Sequence, residues 1–234
     1  MSEEGEIHQH SGWLIPLMVM AVIVLLCAAL LIYYLRPFAL GRNGTAPFRD
    51  SRASSATVPL SVDGLRLRIP LRYIESRSAR TAGPKTMVAL VAALPDMRGY
   101  SEDEAQLFAG NAPDSPLVHL LIRAAWNSLG TQDRLARIYM PYITNPMGET
   151  GPFGLTHYGF RLHTGYGRDD LYAGDGLLLL CERPAQDLPS PNCLAIDRPI
   201  APGVSLSYRF KRAQLSSWRA INADVGRLVA DFRK

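Results

Sequence analysis

The chain has 234 residues, 47% hydrophobic and 20% charged, with a formal net charge of +4. A composition this ordinary excludes a disordered or collagen-like chain and is enough for one domain with its own core. Three of the acids (Glu3, Glu4 and Glu6) and none of the bases precede residue 13, so the remainder is more basic than the whole. No block of like charge accompanies that excess, which argues against a nucleic-acid partner.

Residues 1–12 read as a short polar tail. From Ser11 to Leu35 no side chain is charged. Residues 13–35 predict a single transmembrane helix, because at 1.5 Å per residue they reach roughly 34 Å, slightly more than the hydrocarbon core. Trp13 at one end and Tyr33 and Tyr34 at the other are the rings expected at the two interfaces. Pro16 sits in the first turn, where a missing N–H costs little, and Arg36-Pro37 stop the helix. A cleaved signal peptide fits poorly: there is no basic start, the apolar run is too long, and no small-residue cleavage site follows. The lipid bilayer is therefore the first expected partner.

Two arguments about sidedness conflict. Arg36, Arg42, Arg49 and Arg52 follow the span and no base precedes it, which by the positive-inside rule puts the C-terminal part in the cytoplasm. Cys181 and Cys193 argue the other way. They bracket a Pro-rich loop between two strand-like runs, and a bond closing that loop stabilises by roughly 3 kcal/mol in the chain-entropy model. Such a bond persists in an oxidising compartment, and long domains cross membranes with little regard to charge. The expectation is an inner-membrane, single-pass protein with a periplasmic C-terminal domain. Two cysteines with no histidine at ligand spacing do not complete a zinc site.

Residues 36–56 form a linker rich in turn formers, and 57–234 the soluble domain. Asp63-Gly64 between the alternating runs 57–62 and 65–69 predicts a hairpin, with Leu65, Leu67 and Ile69 inward and Arg66 and Arg68 in water. The run 86–94 reads as a buried strand, with helix as the alternative. Ser101-Glu-Asp-Glu predicts a capped helix to about residue 109. A strand over 117–125 and a Thr131-capped helix follow. The stretch 145–176 is rich in Gly, Tyr, His and Asp, with a strand over 155–162 and turns at Gly165-Tyr-Gly and Gly174-Asp-Gly. Residues 177–182, 192–197 and 204–210 read as three antiparallel strands. The segment 212–232 is an amphipathic helix whose stripe carries Leu215, Trp218, Ile221, Val225, Leu228, Val229 and Phe232. The fold class is α+β, with a largely antiparallel sheet and this C-terminal helix packed on it.

Chemistry concentrates in 156–170. His157, His163, Asp169 and Asp170 are the candidate site residues. Two imidazoles and a carboxylate could hold a metal, but on one strand His157 and His163 stand about 20 Å apart, too far to share an ion. No metal and no cofactor are expected. Neither glycine-rich turn has the spacing of a phosphate-cradling loop, and no nucleophile-elbow or P-loop motif is present. Tyr158, Tyr166 and Tyr172 are the candidate contact patch, since tyrosine joins contact area to a polar handle.

Ser205-Leu-Ser-Tyr-Arg-Phe-Lys-Arg212 leads into Leu215-x-x-Trp218-Arg. Together with Cys181, Cys193, Leu67-Arg-Ile-Pro70 and Met97-Arg-Gly-Tyr-Ser-Glu-Asp103, it resembles a group of uncharacterised proteobacterial single-span membrane proteins. The resemblance implies an inner-membrane protein with a periplasmic domain and carries no activity, cofactor or catalytic residue. The expectation for function is a membrane-tethered binding or scaffold domain that contacts a membrane or periplasmic protein. The alternative is a membrane-anchored hydrolase-like enzyme using His157 or His163 as base.

Overall fold

The computed structural model describes residues 16–28, 30, 56–125 and 129–233. The chain divides into two units, Met1–Thr45 and Ala46–Lys234. In the first, residues 16–28 and 30 are helical and every one of them is exposed. The 1–12 tail, residues 13–15, 29 and 31–35 of the expected span, and 36–55 of the linker lie outside the described residues. Among the described residues no helix is long and apolar enough to cross a membrane.

In the second unit, Asp63 and Gly64 take φ values of 43° and 82°, the left-handed geometry of a two-residue hairpin. They close β1 (Thr57–Val62) on β2 (Leu65–Pro70). Leu67 and Ile69 are buried, and Arg66 and Arg68 are exposed. A short β3 (Gly83–Lys85) joins β1 in parallel. The sequence reading has no strand there, because Gly-Pro-Lys carries no alternation.

The larger sheet is antiparallel throughout. It comprises β4 (Met87–Ala93), β5 (Leu117–Ala124), β6 (Glu149–Thr150), β7 (Thr156–Gly159), β8 (Asp169–Gly174), β9 (Leu177–Glu182), β10 (Asn192–Ala201) and β11 (Val204–Lys211). Their spatial order is β4-β5-β11-β10-β9-β8-β7-β6. The run at 86–94 is thus a strand: pairing with β5 settles an ambiguity that local propensity leaves open. The strand expected over 155–162 ends at Gly159, where Phe160 turns to bridge Ile143. Asp175 and Gly176, at φ 47° and 74°, form the tight turn between β8 and β9.

The helices form with different caps from those expected. Ser101 makes no side-chain cap. Instead Glu104 receives Arg98 Nε at 2.9 Å, and the Ser101 hydroxyl lies 3.4 Å from its carboxylate. Gly130, not Thr131, stands at the cap position, and the Thr131 hydroxyl donates to the Gly176 carbonyl at 2.8 Å. The C-terminal segment starts as a 3-10 turn (Arg212–Ser217) and becomes α-helix over Trp218–Asp231.

One face of the larger sheet, the inner face, carries the main core. Leu90, Leu120, Ile122, Leu179, Leu206, Tyr208 and Phe210 meet Trp218, Ile221 and Val225 of the helix and Leu60, Leu67 and Ile69 of the small sheet. Full burial of such a side chain contributes about 1.5–3 kcal/mol. The opposite, outer face carries two smaller clusters, one around Phe108 and Leu117 and one around Tyr139, Phe160 and Leu171. Cys181 and Cys193 face each other in the β9–β10 register, are fully buried, and form a disulfide. A bond of this kind persists in an oxidising compartment.

Candidate contact surface

Strand pleat divides the candidate residues between two faces. His157 pairs with Tyr172 across β7 and β8, and Asp170 with Cys181 across β8 and β9. These four side chains share the inner face. Tyr158, Asp169 and Leu171 point to the outer face.

On the inner face Asp170 is 7% exposed and receives three donors. Arg212 Nη2 donates to Oδ2 at 2.7 Å, Arg183 Nε to Oδ1 at 2.9 Å, and His157 Nε2 stands 3.1 Å from Oδ1. Burial works to raise the Asp170 carboxyl, but the hydrogen bonds from Arg212, Arg183 and His157 outweigh it and hold the group below the usual carboxylate range. Arg212 reaches further, donating to the Glu182 carbonyl at 2.8 Å and to the Tyr172 hydroxyl at 3.0 Å. Tyr172 is 4% exposed, its phenol pushed up first by burial and then by the Asp170 charge. The network binds β7, β8, β9 and the end of β11 to one another.

As chemistry, this carboxylate is committed to two guanidiniums. Among the described residues no hydroxyl or thiol hydrogen-bonds His157 as the nucleophile of a triad would. Nor does any group of three His, Cys, Asp or Glu side chains among the described residues gather as metal ligands would. His163 lies elsewhere, exposed in the turns after Phe160. Asp169 faces Glu182 in register, and its carboxyl is pushed up by burial and then by the Glu182 and Asp170 charges.

On the outer face four rings gather. Tyr166 stacks on Phe160 at 4.9 Å and meets Tyr139 and Tyr142 at 5.5 Å each. Tyr139 and Phe160 are buried, Tyr166 is half-buried, and Tyr142 is 42% exposed. Backbone bonds fix the segments that carry them: Arg161 N donates to the Tyr142 carbonyl at 3.0 Å and Thr144 N to the Gly159 carbonyl at 2.9 Å. The Arg161 guanidinium adds a bond to the Pro141 carbonyl at 3.2 Å. Within 161–169, Gly167 N donates to Thr164 O at 3.0 Å and Asp169 N to Tyr166 O at 2.9 Å. A Cβ on Gly167 would sit 2.2 Å from the Leu162 carbonyl oxygen, so this turn admits glycine alone. Its outer surface presents Leu162, 76% exposed, beside His163 and Arg161.

Of the three tyrosines singled out from the sequence, Tyr166 therefore lies in this cluster. Tyr158 is half-buried against the same core, and Tyr172 packs inward with Arg212. Tyr142 and Phe160, which complete the surface, and Arg183 and Arg212, which complete the network, were not foreseen. Phe160 carried a signal by lying in the 156–170 stretch, and Arg212 by lying in the distinctive Tyr208-Arg-Phe-Lys-Arg stretch.

No protein-family model matches the chain, and no curated protein matches it. Two solved structures are similar. An immunity protein of the Stenotrophomonas maltophilia type IV secretion system has 18% identity and a TM-score of 0.54, over 76% of this chain and 93% of its own. The iron-regulated outer membrane lipoprotein of Neisseria meningitidis has 14% identity and a TM-score of 0.40, over the same shares. The first likeness establishes a shared fold.

Proposed function

We propose that this protein is a membrane-tethered contact domain. It is held at the inner membrane by residues 13–35, faces the periplasm, and binds a membrane or periplasmic protein through the surface of Tyr142, Tyr166 and Leu162. The observation that carries this reading is the half-exposed aromatic cluster on a locked turn. Ordered tyrosines lose little entropy on binding and are common hot spots. That an immunity protein uses this fold favours a contact role over catalysis, as does the commitment of Asp170 to two arginines. The tether is supported by the charge-free run 11–35 and by residues 16–28, helical with every side chain exposed. It confines the domain with its partners and raises their effective concentration. The disulfide supports the periplasmic placement.

Photo-crosslinking at Leu162 in intact cells tests the surface. A single adduct of defined mass is expected, lost in Tyr142→Ser/Tyr166→Ser, with none from a crosslinker at Arg66 on β2. An adduct that ignores both substitutions rejects the surface. A mature form free in soluble extracts rejects the tether, and Cys181 and Cys193 found reduced in intact cells reject the periplasm.

A further inference from the structure

A second feature lies at the β5–β11–β10 part of the outer face, independent of the contact surface. A cleft of about 280 Å³ is lined by Asn111, Ser115, His119, Asn192, Arg209 and Lys211, with no acid among its lining residues. Lys211 is 6% exposed. Its Nζ donates to Asn111 Oδ1 at 2.6 Å and to the Ser190 carbonyl at 3.3 Å. Both acceptors are neutral, and an ammonium has three protons to give. Burial and then the Arg209 charge lower the Lys211 pKa, with Glu182 opposing. An ammonium withdrawn from water without a bonded carboxylate is costly.

Arg209 lies two residues earlier on the same face of β11, exposed, and paired in register with His119. Ser115 Oγ accepts the Leu117 N–H at 3.4 Å, which leaves its own proton to donate. Of the nearby acids, Glu182 accepts both N–H and side-chain amide of Asn192, and Glu75, outside the cleft lining, stands 3.5 Å from His119 Nδ1 and is also within reach of the Arg209 charge. Asn111 and Ser115 come from the turn that covers the end of β5, so the polar donors converge from two directions. The volume falls just below the roughly 300–1,000 Å³ of sites for drug-sized ligands.

We infer that this cleft is an anion site, built by Lys211, Arg209, Ser115 and Asn111, for a small phosphate-type head group. The oxyanion takes the third Lys211 proton and the exposed Arg209 fork, a pairing of charge-assisted bonds. A free phosphate and the head group of an anionic lipid share this chemistry.

The test is titration of the purified full chain with inorganic phosphate, chloride holding ionic strength constant. Saturable binding is expected, weakened about tenfold or more by Arg209→Gln and by Asn111→Ala, and unchanged in Arg66→Gln. Lys211→Met removes the buried donor; should it fail to fold, exposed Arg209 and Asn111 still decide the matter. A short-chain phosphatidylglycerol below its micelle concentration separates the sources. Competition with phosphate assigns a lipid head group, and no competition assigns the free anion. Binding that never saturates, or that both Arg209→Gln and Asn111→Ala leave intact, overturns the site.

Discussion

Asp169 and Asp170 are neighbours in sequence, yet they point to opposite faces of β8, and the two faces treat a carboxylate in opposite ways. Inward, Asp170 meets Arg212, Arg183 and His157, and its charged form is favoured. Outward, Asp169 meets burial and Glu182, and its charged form is disfavoured. The inner face thus matches its Asp170 carboxylate to cations, while Arg198, in register with Leu206, bonds the neutral Asn222 Oδ1. The outer face leaves charge unbalanced twice, at the Asp169–Glu182 pair and at Lys211 on its neutral oxygens. A carboxylate ringed by cations holds strands together; the half-exposed rings of the outer face are available to partners.

The comparison breaks most visibly if Asp170 can be removed without harm. Asp170→Ala leaves two guanidiniums and an imidazole without their acceptor, and a loss of about 4 kcal/mol is expected, the range for breaking a buried pair. Urea unfolding should show a lower midpoint at an unchanged m-value. A shift under about 0.5 kcal/mol would mean that water replaces the carboxylate and that the network holds nothing. Next in size is the disulfide, which stands opposite Asp170 on the same face. Cys181→Ser/Cys193→Ser opens a bond spanning a sequence separation of 12, and a loss of about 3 kcal/mol is expected. Unfolding with and without reductant checks it, since the wild type under reductant should match the double variant.

How much of this was readable in advance follows from how far apart the partners lie. The β1–β2 hairpin depends on Asp63-Gly64 and local alternation, and both elements formed where the sequence placed them. The disulfide closes one hairpin and was legible for the same reason. The strand β8 was not, because it opens with two aspartates, which are depleted in strands, and offers only Leu171-Tyr172-Ala173 as apolar signal. Asp170 and His157 were picked out together, but Arg183 lies 13 positions from Asp170 and Arg212 lies 42. Nothing local marks which arginine a carboxylate will find, or which side of the pleat it will take. The aromatic cluster is likewise drawn from separate segments, Tyr139 and Tyr142 from one and Phe160 and Tyr166 from another.

The smallest effect is also the sharpest, because pH gives the two aspartates opposite signatures. Asp170 has a folded pKa below its unfolded value of about 3.9. It stabilises fully above that value, and the contribution is lost as pH falls through the lowered folded value. Asp169 has a folded pKa above its unfolded value, so its penalty is absent below about 3.9 and complete once pH has risen through the raised folded value. Asp169→Asn should therefore leave stability unchanged near pH 3 and increase it by about 0.5–1 kcal/mol at neutral pH, the scale of one like-charge cross-strand pair relieved. Asp170→Ala should do the reverse, costing most at neutral pH and progressively less below pH 4. Urea midpoints at the two pH values suffice. If Asp169→Asn destabilises at neutral pH, Asp169 is held by a cation after all, and the outer face would match its carboxylate as the inner one does.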